Sequence, residues 1–211
     1  MTAQILVMAK TPVPGRVKTR LCPPCTPRQA ARIAAAALED TLDAVTATPV
    51  AARVLVVDGD LPAPRGWDRV AQRGDRLGER LAHAYADTAV PGRASLLIGM
   101  DTPQAGPGLL GDAATRLTAD GADAVLGLAA DGGWWALGLR DPAHADVLRD
   151  VPMSTPDTGA LTLAALKGRG LRVTALPMLT DVDTAADAYA VAALCPPDSR
   201  FAGVVPAELD A

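Results

Sequence analysis

At 211 residues the chain is long enough to bury one sizeable core, and a formal net charge of −4 argues against nucleic acid as its main partner, because phosphate-backbone binding needs a broad basic face. Apolar residues make up 49% but aromatics only 3%, so the core must be built from Ala, Leu, Val and Ile, which helices packed on a mostly parallel sheet tolerate well. No run is long enough to span a membrane, and residues 4–9 are too short and too weakly flanked for a secretory signal, so a cytoplasmic location is expected.

The first apolar run, Ile5-Leu6-Val7-Met8, is short and is followed by turn residues, as in a buried strand. Beyond it Lys10, Arg16, Lys18 and Arg20 crowd one loop, together with Pro12, Pro14 and Gly15. The prolines fix φ and the glycine admits conformations closed to other residues, so the loop is expected to be shaped. Shaped cations beyond the carboxyl end of a strand suit the phosphates of a nucleotide donor. The plain alternative is an ordinary solvated connection; the loop carries neither a Walker sequence nor a G-x-G-x-x-G fingerprint. Cys22-Pro-Pro-Cys25 has no second pair to complete a zinc site, and Cys195 reads as a packing residue.

Thr26 followed by Pro27 marks a helix start, and the Ala-rich pattern predicts a helix to about Val45. A strand is expected at 51–57, a short one at 69–72, and a helix from the Gly74–Leu81 stretch to about Thr88. Ser95-Leu96-Leu97-Ile98-Gly99 is the most strand-like run and delivers Asp101 at its carboxyl end. A helix at 107–118 and a strand at 124–128 follow. Asp131-Gly132-Gly133 then predicts a tight turn into an antiparallel strand at 134–139, which makes the sheet mixed. Helices at 143–149 and 158–167, a strand at 172–176 and a helix to about Leu194 complete a single domain over 1–195, with a tail at 196–211 that is packed or frayed.

Asp101, at a strand end, suits either a divalent-cation ligand or a turn cap before Pro103. Asp181 and Asp183 flank Val182, so in extended backbone both side chains share one face, and either suits a second metal contact. Thr184 with Asp187 three residues on resembles a capping box, and Asp183 itself suits a cap. For Asp131 the residues alone favour a turn role.

Taken together, A-K-T-P-V-P-G-R-V-K-T-R-L, Q-R-G-D-R-L-G-E-R-L, I-G-M-D-T-P, A-A-D-G-G-W-W-A-L-G-L and D-V-D-T resemble the glycosyltransferase-like branch of the nucleotide-diphospho-sugar transferase (GT-A) superfamily, over residues 4–194. Relatives of that branch include the guanylyltransferases of deazaflavin-cofactor and molybdenum-cofactor synthesis. The resemblance implies a Rossmann-like three-layer GT-A fold with a mixed, mostly parallel sheet, a nucleoside triphosphate or nucleotide-sugar donor, a small-molecule acceptor, and Mg²⁺ or Mn²⁺. Gly15, Arg16, Lys18 and Arg20 match the loop around the donor phosphates, with Lys10 beside them. Asp101 matches the metal carboxylate and Asp183 the second metal contact. Gln72 and Gly78 fall where such folds bind base and ribose, and Asp131, Gly132 and Gly133 line the acceptor side. Lys18, Arg20 and Asp101 are the expected catalytic groups. Leu128, Trp134 and Trp135 depart from the family pattern around the acceptor turn, and a single Asp101 replaces the Asp-x-Asp of most glycosyltransferases. The dense cationic loop tilts the expectation toward nucleotidyl transfer; glycosyl transfer and a nucleotide-binding regulator without turnover are the alternatives.

Overall fold

The computed structural model describes residues 1–119 and 121–209. Among the described residues seven strands form one sheet: β1 (Thr2–Lys10), β2 (Ala52–Asp58), β3 (Asp68–Ala71), β4 (Arg93–Gly99), β5 (Ala124–Leu128), β6 (Trp134–Leu139) and β7 (Val173–Ala175). Their order is β3-β2-β1-β4-β6-β5-β7, and only β6 runs antiparallel to its neighbours. The sequence of strands therefore reverses direction between β1 and β4, and in open α/β sheets the crevice beyond the carboxyl ends at such a point receives the ligand.

The period of two along β1 sets the layers. Ile5, Val7 and Ala9 face α1 (Pro27–Ala47) and α3 (Pro107–Thr118), meeting Ala34, Leu38, Leu110 and Leu117. Leu6 faces the other way, into a core closed by α2 (Leu77–Asp87) and a 3-10 helix at Pro142–Arg149 through Leu81, Tyr85 and Leu148. α4 (Thr158–Gly168) extends this second layer. The 143–149 segment thus forms the tighter helix, which starts where the Asp141 carboxylate accepts from the Ala143 N–H at 3.0 Å.

α1 begins as expected. Thr26 Oγ1 accepts from Gln29 N–H at 3.3 Å and Gln29 Oε1 accepts from Thr26 N–H at 2.8 Å, a reciprocal capping box ahead of Pro27. Its alanines have a packing reason. One face lies on the sheet while Ala30, Ile33 and Ala37 meet a third cluster from α5 (Ala185–Ala192) and α6 (Arg200–Leu209), in which Phe201 and Val205 are fully buried. A helix covered on two sides needs short side chains. The segment after residue 196, set apart in the sequence as a tail, therefore contributes a helix to the core. Asp40 receives its start, accepting from the Arg200 and Phe201 N–H groups at 3.1 and 2.8 Å. Cys22, Cys25 and Cys195 lie in or against the same cluster as free thiols.

Gly78 shows how closely the second layer packs, because a Cβ there would land on the carbonyl oxygen of Leu148. Gly78→Ala is expected to lower stability by roughly 2–3 kcal/mol through forced separation of α2 from the 142–149 helix, read as a fall in the urea midpoint at unchanged slope.

Candidate functional site

The loop after β1 is fixed before it presents any side chain. Thr11 N–H donates to Asp58 carbonyl at 2.9 Å, Gly15 turns with φ 74°, and Lys18 itself is left-handed at φ 48° and ψ 40°. For a residue with a Cβ that conformation costs about 1–2 kcal/mol. It starts the 3-10 turn Thr19–Leu21, whose Leu21 is completely buried, and it sends the Lys18 side chain inward to 8% exposure.

There Lys18 Nζ lies 2.8 Å from Asp101 Oδ1 and 3.4 Å from Asp183 Oδ1, and Arg20 Nη1 lies 2.8 Å from Asp183 Oδ2. The two acidic segments come from distant parts of the chain but are stitched together. Val182 N–H donates to Asp101 carbonyl at 3.1 Å, and Gln104 Nε2 donates to Thr180 carbonyl at 2.7 Å. Val182 is fully buried, so its neighbours Asp181 and Asp183 are both turned toward the crevice. Asp183 is released from capping because Thr184 Oγ1 accepts from Asp187 N–H at 3.2 Å and so caps α5.

The charges are unevenly satisfied. Burial by itself would lower the Lys18 pKa, but Asp101, Asp183 and Asp181 outweigh it and the ammonium is held above its ordinary value. Asp181 is the opposite case. Its Oδ1 is buried with no hydrogen-bond partner among the described residues, and burial, reinforced by the charges of Asp101, Asp131 and Asp183 and only partly offset by Lys18, pushes its pKa up to about 7. The folded chain then binds a proton at Asp181 that the unfolded chain releases near pH 4, so between those values the native state carries more protons and stability falls as pH rises. With chelator present, Asp181→Asn is expected to flatten that fall, on the order of 2 kcal/mol between pH 4.5 and pH 7.5 in urea unfolding. An unchanged slope would remove Asp181 as its source.

Two hollows meet at these charges. The smaller, about 290 Å³, is lined by Lys10, Arg16, Lys18 and Arg20 together with Asp101 and Asp183. The structure thus brings all four loop cations to one place, opposite the two carboxylates. The larger, about 490 Å³, shares Arg20, Met100, Asp101 and Asp183 with the first and opens on its far side. Its walls come from β1 and β4 (Met8, Leu97), from α2 (Leu77, Leu81), and from Trp134 and Met153.

The remaining expected residues are placed as follows. Asp131 and Gly133 line the larger hollow, and Asp131 Oδ1 also accepts from Gly133 N–H at 2.8 Å, holding the turn. Gly132, at φ 90°, lies against Pro156, and Gly159 N–H donates to Gly132 carbonyl at 2.8 Å. Gln72 and Gly78 line neither hollow. Gln72 Nε2 donates to the carbonyls of Ala9 and Val56 at 2.7 and 3.1 Å, tying the strand ends together, while Gly78 packs on Leu148; the exposed Leu77 beside it faces the hollow instead. Missing from the sequence reading is the segment Met153–Thr158, which forms the far wall. Thr158 Oγ1 both receives Thr155 N–H at 3.1 Å and donates to Pro152 carbonyl at 2.9 Å, which fixes its shape. Ser154-Thr-Pro-Asp157 falls in the connection before the helix expected at 158–167, and no local signal assigns it to a site.

The profile of a bacterial family described as "uncharacterized protein conserved in bacteria" (DUF2064) matches residues 32–155, more than half of the chain. The chain belongs to the DUF2064 family. Its fold closely follows the crystal structure of a provisionally assigned nucleotide-diphospho-sugar transferase from Desulfovibrio desulfuricans G20, with a TM-score of 0.87 at 28% identity over 98% of this chain and 95% of that one. A nucleotidyl transferase from Methanothermobacter shares the fold at TM-score 0.56 and 17% identity, covering 88% of this chain and 94% of that one. So does a Mycobacterium tuberculosis H37Rv protein in complex with manganese, at TM-score 0.53 and 21% identity, covering 90% and 97%. A search of curated proteins finds no match. The Rossmann-like, mostly parallel GT-A sheet implied by the sequence motifs is the fold of this chain. The matched span of the family profile contains Asp101 and Asp131 but neither Lys18 nor Asp183.

Proposed function

We propose that the chain is a metal-dependent transferase that takes the phosphates of a nucleotide donor into the cationic hollow and delivers a nucleotidyl group to a small-molecule acceptor in the larger one. The observation that carries this reading is Lys18 Nζ, in the smaller hollow, between Asp101 and Asp183, which line both hollows. Catalysis there is positioning and charge stabilisation. Arg16, Lys18 and Arg20 neutralise the phosphates, and Lys18 is pre-aimed by its strained backbone. The acceptor oxygen bonds to the α-phosphorus as the bond to the bridging oxygen of pyrophosphate breaks; pyrophosphate leaves with that electron pair and the acceptor proton passes to solvent.

The donor set suits a hard divalent cation. Among the described residues no three Asp, Glu, His or Cys side chains gather as a ready metal cage. Mg²⁺ commonly takes only one or two carboxylates and completes its shell with water and phosphate oxygens, and Asp101 with Asp183 offers that pair beside the orphaned oxygen of Asp181. When bound, Mg²⁺ or Mn²⁺ would supply charge neutralisation at the phosphates. The manganese-bound fold relative supports such a cation.

Glycosyl transfer from a nucleotide-sugar is the second reading, supported by the name given to the Desulfovibrio protein. Purified protein incubated with donors, Mg²⁺ and candidate acceptors distinguishes the two: pyrophosphate is the expected product, whereas release of nucleoside diphosphate would replace nucleotidyl by glycosyl transfer. Among the described residues no helix is long and apolar enough to cross a membrane; use of a nucleotide donor would suit a cytoplasmic protein.

A further inference from the structure

The larger hollow is chemically unlike the smaller one. All four loop cations line the small hollow, whereas among the described residues the large one receives only the cation Arg20, whose guanidinium is already paired with Asp183. Against that single cation stand Asp101, Asp131, Asp181 and Asp183. Between these charges the walls are apolar: Met8, Leu77, Leu81, Leu97, Trp134 and Met153. Leu77 is 43% exposed although it opens a helix whose Leu81 is buried, so its side chain gives apolar surface to the hollow and not to the core. The remaining wall offers the hydroxyls of Ser154 and Thr155.

From this separation of charge we infer that the acceptor is an uncharged molecule with an apolar ring or chain body and a hydroxyl end, carrying neither phosphate nor carboxylate. This rests on the transferase reading above. A phosphorylated acceptor would have to place its anion beside the carboxylate of Asp131, with no unpaired cation among the described residues lining the hollow to receive it. Neutralisation of Asp101 and Asp183 by a bound metal would still leave the Asp131 carboxylate in the hollow. A volume of about 490 Å³ lies within the range of small-molecule sites and admits one compact body of two or three rings.

A matched pair of fluorescent probes tests this on the intact protein: neutral N-phenyl-1-naphthylamine and its sulfonated analogue, 1-anilinonaphthalene-8-sulfonate. The neutral probe is expected to bind saturably at one site, at least tenfold tighter than the sulfonate. Leu77→Lys, at an exposed position that the fold tolerates, should weaken the neutral probe and strengthen the sulfonate; Asp131→Asn, which keeps the oxygen that holds the turn, should narrow the gap. Equal affinity for the two probes, or indifference to Leu77→Lys, overturns the inference. So does displacement of the neutral probe by a magnesium nucleoside triphosphate, which would make the hollow the nucleobase site. Melting-temperature shifts with the nucleoside triphosphates and Mg²⁺ are read separately. A nucleotide shift without neutral-probe binding removes the acceptor class and leaves the transferase reading. Probe binding without any nucleotide shift removes the transferase reading and the acceptor role with it.

Discussion

Asp101→Asn is expected to lower the transfer rate by a factor of about 10²–10³ while leaving the sheet and its helices folded, since it removes one of the two carboxylates that would hold a cation at the phosphates, and one element of such charge stabilisation is commonly worth that much. Asp101 is 39% exposed and contributes little to the core, so the fold does not depend on it. Lys18 does. At 8% exposure, its ammonium would keep the charge of Asp183, at 3.4 Å, with weaker help from Asp181, and lose the anion at 2.8 Å. Removing one member of a buried pair leaves a poorly compensated charge, so Asp101→Asn should also lower the melting temperature by several degrees. Adding Lys18→Met to Asp101→Asn should recover much of that loss without recovering any activity. That non-additivity is the signature of two groups in contact. The measurements are steady-state transfer rates, donor affinity and thermal unfolding for both single variants and the double. Activity within tenfold of the wild type in Asp101→Asn would dismiss the carboxylate from the reaction, and strictly additive melting shifts would dismiss the pair. A nucleotide-binding regulator without turnover would lose affinity alone.

The second large effect is expected at Gly132. Its backbone is at φ 90°, where a side chain is strained, and an added Cβ would land on the carbonyl oxygen of Pro156, which cannot rotate away. Gly159 N–H is bonded to the Gly132 carbonyl at 2.8 Å, so the turn cannot withdraw without releasing the start of α4. Gly132→Ala is expected to cost about 3–5 kcal/mol, the sum of left-handed strain and a backbone collision. The displaced turn carries Asp131 and Gly133, and the displaced segment carries Met153 to Thr158, so the larger hollow should open as well. Urea unfolding reads the first effect and loss of acceptor-dependent turnover at saturating donor reads the second. Wild-type stability in this variant would show that the 152–159 segment shifts freely.

The elements that could be read in the sequence are those whose signals are local. β1 and β4 are continuous apolar runs, α1 carries its start in Thr26-Pro27, and Asp131-Gly132-Gly133 announced the one antiparallel strand. Thr184 with Asp187 was recognisable as a capping box, and only the structure shows that Thr184 does the capping and leaves Asp183 free. The convergence of Lys18 with Asp101 and Asp183 was legible through motif resemblance and strand-end logic. The left-handed backbone at Lys18 was not, because Lys has no local preference for it. For Gln72 and Gly78 the sequence suggested ligand chemistry and gave no sign of the packing that the structure shows, in which Gln72 donates to two strand carbonyls and Gly78 lies against the Leu148 carbonyl. The far wall of the hollow and the helix after residue 196 depend on which surfaces meet in space, and their local sequences carry no trace of it.

Val182 hands its N–H to Asp101 only once the later segment has been made, so the counter-charges for the loop cations arrive at different times in synthesis. A nascent chain still short of Asp183 exposes Lys18 and Arg20 with only half their anions, so a ribosome-tethered fragment should attract polyphosphates loosely and discriminate poorly among them. On the transferase reading, selectivity for the donor would then be acquired only when the Asp181–Asp183 segment docks on Asp101, and any change that disturbs that docking should be felt first as a loss of discrimination.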